Sequence, residues 1–287
     1  MRSGRVVRVA LALLVCTDLA FSVPRGIGQQ PQWIESKQPH YSIFYQAGYE
    51  NDARLVQRWA DSTESLMKEK YGVAPTHYRM FVYLHPSPTS RADVNTAHNQ
   101  CCTRVSDSLE TGTIDMLAPS APPMRSADAM SSLGMRKNSP DYSAKIFVSE
   151  YIPIGHYAAQ RSRPNGGWAY YTAPNWFVQG LQEYDAIFHS TPVNRDSTAG
   201  RLSAWAVANR GMFSCCDKEL AIKDDYNGGA AFLAFLAVEF GESVHAHLLE
   251  SAAPTFFDAL TAETKPLTRE QLFARFQRWL ERGAPAK

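Results

Sequence analysis

The sequence predicts an α+β fold, with a small N-terminal sheet lobe followed by a helical C-terminal half. Three observations predict it. Residues 41–45 and 78–84 alternate side chains as half-buried strands do, Met80, Val82 and Leu84 opposing Arg79, Phe81 and Tyr83 in the second. Between them, residues 52–70 repeat Leu55, Trp59 and Leu66 near the helical period and leave Arg54, Arg58, Asp61 and Glu64 for water. From Ser143 onward the periodicity is almost wholly helical, and sheet before helices is the α+β order.

Each element has local support. Residues 23–39 are rich in Pro and Gln and read as an extended lead-in to a lobe over residues 40–142. Gly72 ends the first helix as a left-handed cap, and Pro86 and Pro88 close the second strand. A short strand is expected at residues 114–117. The run Ala118-Pro119-Ser120-Ala121-Pro122-Pro123 opens an irregular loop to residue 140. The helical lobe then covers residues 143–283. It has helices at 144–152, at 175–188 with Phe177, Leu181, Tyr184 and Phe188 on one face, and at 226–240, the last so apolar that it must be buried and closed by Gly241. Thr268-Arg269-Glu270-Gln271 is a capping box for a final helix to Arg282 that buries Leu272, Phe276 and Trp279. There is no internal repeat.

The 287 residues carry 29 basic and 28 acidic side chains, a formal net charge of +1, and no long basic run, which argues against a nucleic-acid partner. Arg2, Arg5 and Arg8 followed by the apolar residues 9–15 form a signal peptide, too short to span a bilayer, with cleavage after Ser22 or after Gly28. A lipoprotein reading at Cys16 is weaker, because Val15 stands where a small residue is required. Residues 1–22 are therefore set apart as a signal peptide. The expectation is a secreted or periplasmic protein with no stable membrane span. Export gives the cysteines meaning. Cys101-Cys102 and Cys215-Cys216 are two adjacent pairs, and an even count in an oxidising compartment reads as two disulfides. Three connectivities exist, and a cross-link between the two pairs is favoured; a four-thiolate metal site is disfavoured by the missing spacer within each pair.

Two segments carry the functional argument: Lys145 through Pro153, reading KIFVSEYIP, and Pro174 through Tyr184, reading PNWFVQGLQEY. A third, Tyr226 through Leu236, opens the apolar helix with Gly228-Gly229. In this order the segments resemble the peptidase MA-like family of gluzincins, whose HExxH helix supplies two zinc-binding His and a general-base Glu. A following W-x-x-E-G helix supplies a third ligand, and a Tyr-led helix comes after it. The spacing serves the chemistry, since His at i and i+4 share one helical face and can grip one Zn²⁺, while the intervening Glu takes a proton from metal-bound water. The resemblance extends over about residues 33–282, poorly at 86–140, and implies a zincin-like arrangement of sheet lobe and active-site helices.

The departures decide the functional expectation. Carried over residue by residue, Ser149 takes the first His position, Glu150 the general-base position, Pro153 the second His position and Gln179 the third-ligand position. A hydroxyl and a carboxamide are weak donors for Zn²⁺ and proline has no side-chain donor. The expectation is a zinc-free pseudopeptidase without cofactor, keeping its cleft for a peptide or protein ligand. Glu150 is then a vestigial base that hydrogen-bonds Gln179 or Tyr226, and Tyr226 is a cleft tyrosine or a core aromatic. Ser149-Glu150 forms no triad, as no His base is placed beside it. Pro153 should kink or stop its helix. The alternative is an active exported metallohydrolase with a rebuilt site, for which His156 is the nearest ligand, otherwise a partly buried hydrogen-bonding residue. His245 and His247 read as ordinary polar residues. A further alternative is an unrelated α+β domain, in which the helices of Glu150 and Gln179 would not be neighbours. Trp176 reads as core, and Gly228-Gly229 as a close helix contact, not a phosphate loop.

Overall fold

A mixed five-stranded sheet organises the first half of the chain. The computed structural model describes residues 32–87, 101–105, 110–121, 129–161, 172–216 and 220–282, and from Trp33 onward these belong to one compact unit. The expected signal peptide, residues 1–22, lies outside the described residues. The strands are β1 (Ile34–Lys37), β2 (Tyr41–Tyr45), β3 (Arg79–His85), β4 (Cys101–Val105) and β5 (Thr111–Leu117), in the order β1-β2-β3-β5-β4. β2, β3 and β5 run parallel, and both edge strands are antiparallel to their neighbours. A parallel β2–β3 pair needs a crossover, and α1 (Glu50–Tyr71) provides it. Gly72 ends α1 at φ +64°, the left-handed cap read from the sequence. Met80, Val82 and Leu84 of β3 are wholly buried beneath α1 and α2 (Pro140–Arg161), while Phe44 and Tyr83 stack at 4.7 Å on the opposite face.

α2 corrects one expectation. It does not stop at Pro153 but runs on to Arg161, and it begins at Pro140, four residues before the expected start. Ser139 Oγ accepts the Tyr142 amide at 3.2 Å and Pro140 takes the first helical position, a favourable proline site. Pro153 forfeits one backbone hydrogen bond. Tyr151, Ile152 and Ile154 around it, and Ala158 and Ala159 beyond it, are fully buried, so core packing on both sides holds the helix continuous.

The remaining helices are α3 (Asn175–His189), α4 (Pro192–Ala208), α5 (Asn227–Phe240), α6 (Ser243–Glu250), α7 (Phe256–Glu263) and α8 (Arg269–Glu281), with a small hairpin of β6 (Phe213–Ser214) and β7 (Ala221–Ile222). Trp176, Phe232, Phe256 and Phe276 form one aromatic core with ring centroids 5.1–5.5 Å apart. The expected capping box of Thr268 and Gln271 is present on α8. The expected boundary at residue 143 falls within the first turn of α2, whose side chains share the core of the sheet. Among the described residues no single helix is long and apolar enough to cross a membrane.

α3 and α5 touch backbone to backbone. A Cβ on Gly229 would stand 2.0 Å from the Trp176 carbonyl oxygen, and one on Gly180 would stand 2.5 Å from the Gly229 Cα. Of the Gly228-Gly229 pair, Gly229 makes the helix contact, while Gly228 packs against Ile222 and Phe213 of the hairpin. Gly229→Ala should destabilise the fold by about 2–3 kcal/mol, because the overpacking outweighs a helix-propensity gain of about 1 kcal/mol. Gly200→Ala in α4 meets nothing within 4 Å and should gain up to about 1 kcal/mol. Urea denaturation of both variants reads this difference in sign.

Candidate cleft between helices α2 and α3

α2 and α3 are packing neighbours, so the segments holding Glu150 and Gln179 are side by side. Ser149, Glu150 and Pro153 on α2 and Gln179 on α3 are all half-buried. One turn before Ser149, Lys145 directs its ammonium across the interface. One turn after Gln179, Glu183 accepts it, with Nζ–Oε2 2.6 Å and both residues 6% exposed. An internal ion pair therefore bridges the two helices beside the positions where the family resemblance places a metal. Tyr226, just before α5, is 48% exposed and so is no core residue. Its hydroxyl pKa is raised, first by partial burial and then by the negative fields of Glu150, Glu183, Asp225 and Asp224. Asp224 fixes the start of α5 by accepting the amides of Asn227 and Gly228 at 2.6 and 3.2 Å.

Nearer the start of α2, Ser143 and Ile146 line a cavity of about 200 Å³ against Met116–Ala121, and Ser149, Glu150, Pro153 and Gln179 are not among its lining residues. The opposite wall is held by Asp52, buried on α1, which accepts the Ser120 amide at 3.0 Å and its hydroxyl at 2.5 Å.

His156 corrects a second expectation. It is fully buried, not partly so, and turned towards Asp185 (Nε2–Oδ2 3.8 Å) and the Tyr71 ring, on another face of α2 from Glu150. Asp185, also fully buried, accepts Lys70 Nζ at 2.6 Å and Tyr71 OH at 2.5 Å, with His189 Nε2 3.9 Å away. Burial alone would raise the Asp185 pKa, but the Lys70 ammonium, helped by His156 and His189, holds the carboxyl far below its ordinary range. Burial pushes His156 and His189 down and His245 down to about 3, so all three rings are neutral near pH 7. Beside them Glu242 accepts Tyr184 OH at 2.5 Å and lies 3.6 Å from Lys70 Nζ. Sequence reasoning missed this cluster and the Lys145–Glu183 pair. The readable signal was Glu183 and Asp185 flanking Tyr184 inside an otherwise apolar helix, since carboxylates are rarely buried without a partner.

The cysteines divide. Cys101 and Cys102 stand on β4, and their side chains lie outside the described residues. Cys215 and Cys216 follow β6 as a second adjacent pair. The expected cross-link between the pairs thus falls partly outside the described residues. Among the described residues no three His, Cys, Asp or Glu side chains are grouped to hold a metal ion. At the positions where the resemblance places zinc ligands, Ser149 and Gln179 offer weak neutral oxygens and Pro153 offers no side-chain donor, a set that does not fit zinc.

In comparisons with known proteins, no protein-family model matches the chain and no match was found among curated proteins.

Proposed function

We propose that this chain is an exported, zinc-free pseudopeptidase of gluzincin-like fold, which uses the cleft between α2 and α3 to bind a peptide or protein ligand in the secreted or periplasmic space. The observation that carries this reading is the Lys145–Glu183 pair at 2.6 Å. It ties together the two helices that a metal would otherwise tie, beside positions bearing Ser149, Pro153 and Gln179. Glu150 remains at the cleft but has no polarised water to deprotonate, so its part is to set the local negative potential with Glu183 beside the exposed Tyr226. The fold part of the proposal draws on the mixed sheet, with its antiparallel edge strand β4 next to α2.

Restoring the donors tests the mapping. The variant Ser149→His, Pro153→His, Gln179→Glu is expected to gain at least about 100-fold in zinc affinity over the parent chain, measured by competition with a chromophoric chelator. A folded triple variant with unchanged affinity contradicts the residue-by-residue assignment.

A further inference from the structure

A second cavity, separate from that at the start of α2, opens between α3, α4 and α5. Its volume is about 360 Å³, within the range of small-molecule sites. Tyr184 and Phe188 reach it from a different face of α3 than Gln179 and Glu183. Most of the wall is apolar: Phe188, Leu202, Val238 and Trp279, with alanines between them. The polar groups at it are few. Arg195 is engaged with its neighbour Asp196 at 2.9 Å. Glu242 accepts the Tyr184 hydroxyl at 2.5 Å on one oxygen, yet its side chain is 57% exposed and its nearest cation, Lys70, lies closer to Asp185 (2.6 Å) than to Glu242 (3.6 Å).

Three features give this cavity a negative character. Two carboxylates, Asp185 and Glu242, face one ammonium, Lys70, which leaves one negative charge over. The C-terminal turns of α3 and α5 both end at the cavity, with Phe188 and His189 from one and Val238 and Gly241 from the other, and helix C-termini carry partial negative charge. The aromatic rings of the wall add the negative π-faces that attract cations, although the Tyr184 ring is already taken by Lys70 at 4.6 Å and by the stacked Phe188. The neighbouring histidines add no compensating charge, since burial keeps them neutral.

We infer that the α3–α4–α5 cavity is a binding site for a small apolar monocation, an aryl- or alkyl-ammonium whose hydrocarbon body fills the aromatic pocket and whose ammonium pairs with Glu242. The inference does not depend on the pseudopeptidase reading, which concerns the other face of α3.

Isothermal titration of the full chain with tryptamine, and with indole-3-ethanol and indole-3-propionate as neutral and anionic counterparts, tests it. Tryptamine should bind at least about tenfold tighter than the alcohol, and the carboxylate more weakly still. Glu242→Gln should abolish the preference for the amine while leaving alcohol binding in place. Because Glu242 also anchors Tyr184, Glu242→Asp serves as the second variant, expected to keep the preference in reduced form, with thermal melts reading the folding of both. Ala199→Trp, which fills the cavity from α4, should abolish binding of all three. The inference is overturned by an absence of saturable tryptamine binding, by tighter binding of the propionate, or by an amine preference that survives Glu242→Gln.

Discussion

Asp185→Ala is expected to destabilise the protein by about 3–5 kcal/mol, the range for removing one partner of a buried ion pair. The variant leaves the Lys70 ammonium, only 8% exposed, with Glu242 alone at 3.6 Å, and strips the Tyr71 hydroxyl of its acceptor. The double change Lys70→Met, Asp185→Leu should recover much of the loss, because no charge is then stranded. Urea unfolding measures both, and a single-variant loss under about 1 kcal/mol would show the cluster to be hydrated. The same cluster sets the pH dependence. Asp185 is depressed in the folded state, so its contribution is present above the ordinary aspartate value of 3.8 and fades as pH falls towards the folded value. His156, His189 and His245 are also depressed. The unfolded chain therefore binds more protons than the folded one once pH falls below 6.5, and their contribution is lost in that direction too. All four groups act with one sign, so stability should fall steadily on acidification from about pH 6.5. A stability that is level from pH 7 to pH 5 contradicts this account.

Breaking the bridge between α2 and α3 is expected to have a comparable effect. Glu183→Gln or Lys145→Met should each cost about 3–5 kcal/mol, since each strands a buried charge. Lys145→Met with Glu183→Leu should cost much less than the sum, and a double-mutant cycle gives the coupling directly. In Glu183→Gln the Tyr226 hydroxyl also loses one of the four carboxylate fields that raise its pKa, so its titration should move down. Ultraviolet difference spectra of this variant against the parent read that shift independently of stability.

The elements that were legible are those whose burial alternates or whose ends carry a chemical stop. β3 shows one alternating buried face, whereas β2 buries Tyr41, Ser42 and Ile43 in succession; α1 and α5 end at Gly72 and Gly241, both at positive φ. β1 was folded into an extended lead-in because Ile34–Lys37 is an edge strand with almost no buried side chain, and so shows no alternation. β5 begins at Thr111, ahead of the expected residue 114, since Thr111 and Gly112 carry no apolar signal. α4 went unread although Thr191 caps it by accepting the Asn194 amide and Pro192 opens it; its interior Gly200 and polar residues blur the periodicity. The break expected at Pro153 followed a local rule that tertiary packing overrode. The adjacency of α2 and α3 was expected only through the family resemblance, and the two helices do pack together. The Lys145–Glu183 bridge was not expected, because a salt bridge 38 residues apart in sequence depends on how the helices cross.

The most direct measurement is the zinc stoichiometry of the purified chain after equilibration with micromolar zinc and removal of free metal. The account predicts well below about 0.1 zinc per chain, because hydroxyl, proline and carboxamide side chains give a dication nothing to hold. One zinc retained per chain, lost on mutation of Glu150 or Gln179, contradicts it.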